Sequence, residues 1–118
     1  MDLTPYVENV RRHTAELKRR NAEATARARR DLPRLVEVLR AFGGVEKAYL
    51  YGSLAKGTFH PGGDIDIAVE GASTAEMDEL RARLEEAVGF GIDLRDLDGT
   101  PEFRRVVEAY GELLHGDT

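Results

Sequence analysis

Tyr51-Gly52-Ser53-Leu54-Ala55-Lys56-Gly57-Thr58-Phe59-His60-Pro61-Gly62-Gly63-Asp64-Ile65-Asp66-Ile67 is the stretch of this 118-residue chain whose reading decides the fold. Its last residues alternate acidic with apolar, and side chains on a strand alternate faces with a period of two. Ile65, Ile67 and Val69 therefore take one face and pack under helices, while Asp64 and Asp66 take the other. Two carboxylates on one strand face repel each other unless water or a cation compensates. Mg²⁺ fits that need, because it prefers oxygen ligands and is usually held by one or two carboxylates plus substrate phosphates. Asp93, between Ile92 and Leu94, repeats the pattern on another strand. If the two strands are neighbours, Asp64, Asp66 and Asp93 converge on one sheet face, Asp64 and Asp66 as candidate metal ligands and Asp93 placed to take a proton from an attacking hydroxyl. Asp96 and Asp98 lie beyond the alternation and read as loop residues, so they rank below Asp93 for that role.

Upstream of the acids, Val45–Tyr51 is rich in β formers and reads as a strand. Gly52-Ser53 follows it directly, and a strand that runs through such a turn into a short helix presents backbone N–H groups and a hydroxyl to phosphate oxygens. Lys56 adds a point charge. Gly52, Ser53, Lys56 and Gly57 are thus the candidate phosphate-binding residues. Neither G-x-x-x-x-G-K-[ST] nor G-x-G-x-x-G is present.

The elements around this stretch read as α-α-β-loop-β-α-β-α. Residues 1–30 form a helical arm, with Thr4 as N-cap, Pro5 at the first helical position and a sparse apolar stripe of Tyr6, Val7, Val10 and Leu17. Alanines dominate its second half, favouring helix while burying little. The arm is either a solvated helix with a few core anchors or a docking surface for a partner or second copy. Asp31-Leu32-Pro33 breaks the pattern and opens a second helix with Leu32, Leu35, Val36, Leu39 and Phe42 facing the core. Gly52–Gly63 reads as turn or loop, Asp64–Val69 as a strand, and Ser73 with Glu76 as the capping box of a third helix. Phe90–Leu94 is the last strand, and Thr100-Pro101 opens a helix that turns Phe103, Val106, Val107 and Tyr110 inward and ends at Gly111. Tyr49 and Tyr51 read as packing residues, His60 as a solvated loop residue, Arg95 as a neighbour of Asp93, and Arg104 and Arg105 as solvated. The fold class is α/β (α+β), a small mixed sheet with helices packed on it. Its expected division is an arm over 1–31 and a catalytic domain over 32–118.

The combination strand, G-S-x₃-G, x₆, D-x-D on a second strand and a further strand aspartate resembles the signature of the DNA polymerase β-like nucleotidyltransferases. The short chain is similar to their minimal nucleotidyltransferase branch. The resemblance implies transfer of a nucleoside monophosphate from ATP or another NTP to a hydroxyl, with one or two Mg²⁺ ions. It assigns the triphosphate to Gly52 and Ser53 and the metal to Asp64 and Asp66, with Asp93 completing the triad. It further implies an antitoxin that adenylylates a tyrosine of a separate HEPN-domain RNase toxin. The alternatives are transfer to a small molecule and a non-catalytic binding module on the same fold. Gly63 stands where the family commonly has Ser. No HEPN motif R-x₄₋₆-H can be built on His13, His60 or His115, so such a toxin has to be another chain.

Composition narrows the remaining classes. Without cysteine there is no disulfide, zinc–thiolate site or thiol catalysis. No apolar run approaches the ~20 residues of a membrane span, and the N-terminus lacks the apolar core of a signal peptide, which makes the cytoplasm the expected location. The net charge of −5 is unevenly spread: residues 1–30 carry eight basic and four acidic side chains, leaving nine and eighteen for the rest. A basic arm on an acidic body disfavours nucleic acid on the body and suits a cation site there. Self-association through the arm stays open.

Overall fold

The computed structural model describes residues 1–117. Helices α1 (Thr4–Arg30) and α2 (Leu32–Ala41) are followed by β1 (Lys47–Tyr51), α3 (Gly52–Lys56), β2 (Ile65–Glu70), α4 (Thr74–Val88), β3 (Ile92–Asp96), α5 (Pro101–Tyr110) and β4 (Glu112–His115). The sheet order is β3-β2-β1-β4, with β2–β3 parallel and the other two pairings antiparallel. This is the mixed α/β sheet expected, with one strand more.

The two faces of the sheet are covered unequally. On one, Leu50, Ile65, Ile67 and Val69 pack with Leu35 and Leu39 of α2, Leu54 of α3, and Leu80 and Leu84 of α4. Every second residue of β2 enters this core, as a period of two dictates. On the other, α5 supplies Val107 and, partly, Phe103 to a small cluster with Tyr49, Ala68 and Leu97. The Ser73 hydroxyl accepts from the Glu76 N–H and the Glu76 carboxylate from the Ser73 N–H, so the capping box of α4 is complete.

Local expectations fail where tertiary contacts decide. Leu3, not Thr4, precedes the first turn of α1. Tyr6, Val7, Val10 and Leu17 stay exposed, and the arm is anchored by Ala24 and Ala28 in the main core instead. Small alanines let the helix approach closely, and Arg29 ties it to Glu112 of β4 at 2.8 Å. Val36 is half-buried rather than a core residue. Phe59, in the stretch read as loop, is fully buried, edge-on to Phe90 at 6.0 Å, and pins the turn that delivers Asp64 to β2. The same stretch holds α3, the short helix expected after the Gly-Ser turn.

Val106 and Tyr110 are not inward but 58% and 77% exposed, because α5 touches the sheet along one narrow line through Phe103 and Val107. Arg104 is not solvated: it pairs with Asp98, Glu108 and Glu70, which raise its pKa. β4, unforeseen, pairs along β1 and covers what would be an open edge.

Candidate active site

The register of the sheet builds the site. Tyr51 of β1 lies opposite Asp66 of β2, and Asp66 opposite Asp93 of β3, so the three side chains form one row on the α5 side. Residues directly opposite have Cβ atoms ~5 Å apart, close enough for carboxylates to feel each other. Burial pushes the Asp66 carboxyl above its ordinary range, and repulsion from Asp93, a hydrogen bond with Asp93 and repulsion from Asp64 push it further, with Arg95 opposing. Arg95 donates from Nε to Asp93 Oδ1 at 3.4 Å and is the nearby counter-charge. The Tyr51 phenol is raised to about 12, by burial first and by Asp93 and Asp66 next. Its Oη has no hydrogen-bond partner among the described residues, while its ring meets Phe103 edge-on at 5.3 Å.

Asp64 sits one residue before β2, exposed, with Oδ1 so close to Gly91 that any Cβ there would overlap it. The structure thus joins Asp66 and Asp93 directly and leaves Asp64 at the mouth. Among the described residues no three Asp, Glu or His side chains are gathered tightly enough to enclose a metal by themselves. The donor set nevertheless fits Mg²⁺, which takes one or two carboxylates and fills its octahedron with water and phosphate oxygens. A cation beside Asp66 would also offset the repulsion from Asp93 and Asp64 that adds to burial in raising its pKa. Asp96 and Asp98 are occupied elsewhere. Asp96 ends β3 rather than lying in a loop, and its carboxylate accepts the Asp98 N–H at 2.9 Å, while Asp98 receives Arg104.

The Gly52-Ser53 turn starts α3 at the end of β1, beside this row. Gly52 has φ +72, and a Cβ on it would overlap the Asp66 carboxylate, so only glycine lets turn and acid share the space. Among the described residues no side chain caps the start of α3. Lys56 and Gly52 line an open cleft of about 570 Å³ with Tyr51, Val106 and Tyr110. Gly57 closes α3 in the left-handed region, away from this lining. Val106 and Tyr110 are the site-lining residues the sequence reading missed; their helical spacing resembled that of core positions. A Cβ on Gly63 would stand 3.1 Å from the His60 carbonyl, a close approach within the tight turn over 60–63. His60 is exposed, with Nδ1 3.0 Å from the Pro61 carbonyl oxygen.

A mixed sheet that presents paired strand aspartates beside a Gly-Ser turn defines a nucleotidyltransferase. Residues 34–117 match the family described as polymerase beta, nucleotidyltransferase, and the chain belongs to that family. Its structural neighbours are minimal nucleotidyltransferase antitoxins in complex with HEPN toxins. A crystallised toxin–antitoxin with AMP-PNP is 30% identical, with a TM-score of 0.65 and 74% of each chain covered. A mutant MntA complex with two Asp-to-Glu changes is 28% identical, with a TM-score of 0.64 over 74% of each chain. The complex of a tri-AMPylated Shewanella oneidensis HEPN toxin with its MNT antitoxin is 26% identical, with a TM-score of 0.58, covering 76% of this chain and 73% of that one. No curated protein matches the sequence. Among the described residues no helix is long and apolar enough to cross a membrane.

Proposed function

We propose that this protein is a Mg²⁺-dependent adenylyltransferase of the cytoplasm that moves AMP from ATP to a tyrosine hydroxyl of a separate HEPN-type RNase toxin and thereby acts as its antitoxin. The observation that carries the reading is the Asp66–Asp93 pair in register beside the Gly52-Ser53 turn, in a chain similar to a toxin–antitoxin crystallised with AMP-PNP. The tri-AMPylated toxin of the Shewanella complex supports AMP as the group moved and a protein as the acceptor.

Asp64 and Asp66 would hold the metal, with Asp93 completing the set. Bound Mg²⁺ would neutralise phosphate charge and polarise the α-phosphate. The N–H groups and hydroxyl of Gly52-Ser53 hold the triphosphate, Lys56 adds positive charge, and Gly57 lets the loop turn away. The acceptor oxygen forms a bond to the α-phosphorus as the α–β phosphoanhydride bond breaks. Pyrophosphate leaves with the electron pair, and the hydroxyl proton passes to Asp93. Catalysis is then positioning and charge stabilisation in an in-line displacement.

The test is incubation with Mg²⁺, α-labelled ATP and lysate of the source cells. Label on a discrete protein band, lost with Asp64→Asn and with Asp66→Asn, is expected. Label only in a small molecule, or a labelled band unchanged in both variants, overturns the acceptor or the site.

A further inference from the structure

The described fold leaves most of α1 with nothing packed on it. Leu3, Val7, Val10 and Leu17 are 57%, 42%, 47% and 46% exposed. With Thr14, Asn21, Ala24 and Ala28 they fall on one alternating three-and-four spacing, at positions 3, 7, 10, 14, 17, 21, 24 and 28. That is the spacing of a coiled-coil seam. Its last two members, Ala24 and Ala28, are buried in the protein's own core. The rest of the seam, positions 3 to 21, runs on from there for ~27 Å, at ~1.5 Å per residue.

The charges beside the seam say what covers it. The positions that flank a coiled-coil seam hold Arg11, His13, Lys18, Arg20 and Arg27, with Thr4, Tyr6 and Thr25, and no acid. Glu16 and Glu23 lie toward the outer side, paired with Arg19, and Glu16 also meets Arg20. A second copy laid seam to seam would set Arg and Lys against Arg and Lys, which specific coiled coils avoid. Nor does the body expose a matching strip: Val106 and Tyr110 are its exposed large apolar side chains among the described residues.

Nucleic acid would use the basic flanks but find Tyr6 as the arm's one aromatic side chain to stack on. A lipid surface favours a broad apolar face with bulky or aromatic residues, whereas this strip is narrow and interrupted by Thr14 and Asn21. We infer that the N-terminal part of α1 is a docking helix for a separate protein that presents a helix with an apolar seam bordered by Asp and Glu. The inference does not rest on the transferase chemistry.

The test uses the full chain and a labelled four-heptad helical peptide with Leu at the seam and Glu at every flanking position. A Lys-flanked counterpart, a single-stranded RNA oligonucleotide and phosphatidylserine vesicles serve as rivals. Fluorescence anisotropy is expected to give ~10-fold or greater preference for the Glu over the Lys peptide, as charge complementarity sets partner choice. Val10→Asp/Leu17→Asp abolishes binding. Arg11→Glu/Lys18→Glu/Arg20→Glu, which leaves the seam intact, switches the preference to the Lys peptide, so loss of fold is distinguishable from loss of docking. Equal binding of both peptides overturns the inference. So does binding of RNA or vesicles with neither peptide, or a dimer in sedimentation that Leu17→Asp dissociates.

Discussion

One face of the sheet is closed and the other is open, and the two are made by the same strands. β2 sends Ile65, Ile67 and Val69 into a core sealed by α2, α3 and α4. On its reverse, Asp66 stands in a row with Tyr51 and Asp93 under the edge of α5. The closed face is made of groups that gain by leaving water. The open one holds carboxylates that repel each other and a phenol without a hydrogen-bond partner among the described residues. Stability is built on one side and spent on the other.

That contrast can be broken most severely on the closed side. Phe59→Ala should cost ~3–5 kcal/mol, the usual cost of emptying a buried aromatic site, read as a shift of the urea midpoint. It should also depress transfer, because Phe59 pins the turn that carries Asp64. On the open side the sign reverses. In metal-free protein at neutral pH, Asp66→Asn should stabilise by ~0.5–2 kcal/mol, the range for relieving an unfavourable site, while transfer is lost; a fall in melting temperature would contradict the account.

The pH dependence sharpens the same point. The folded-state pKa of Asp66 is raised, so above the ordinary carboxyl range the folded chain binds more protons than the unfolded one. Its contribution to stability therefore falls as pH climbs from the ordinary value through the raised one, and the penalty is complete above that. Asp66→Asn should flatten this part of the curve, measured by denaturation across mildly acid pH without metal. The smallest effect on stability is expected from Val106→Ser and Tyr110→Ser, within ~0.5 kcal/mol because both are exposed. If the cleft over Gly52 and Lys56 takes the nucleotide, both should raise KM for ATP while kcat changes less.

The candidate site was legible to different depths in different places. Asp66 and Asp93 announced themselves because an acid between two apolar strand residues has one face open to it. Their pairing required the parallel register of β2 and β3, which no local pattern encodes. Tyr49 reads correctly as a packing residue, whereas Tyr51 packs its ring and also completes the acidic row. Arg104 and Arg105 are adjacent and alike in sequence, yet Arg104 reaches Glu70 of β2 and Asp98 before α5 as well as Glu108 one turn on, while Arg105 pairs with Glu102 of its own helix.

By itself the sequence determined what depends on near neighbours: the capping box of α4, the alternation of β2, the end of α5 at Gly111, and the motif spacing that marks the family. Tertiary structure alone decided what depends on which surfaces meet. Ala24 and Ala28 anchor the arm because small side chains let α1 approach the core, while its larger apolar residues point past the body. Val106 and Tyr110 line a cleft because α5 rests on the sheet along one edge. β4 exists because β1 offers it an edge: four residues have too little periodicity to declare a strand, and the hydrogen bonds that make one belong to the partner strand as much as to the segment itself.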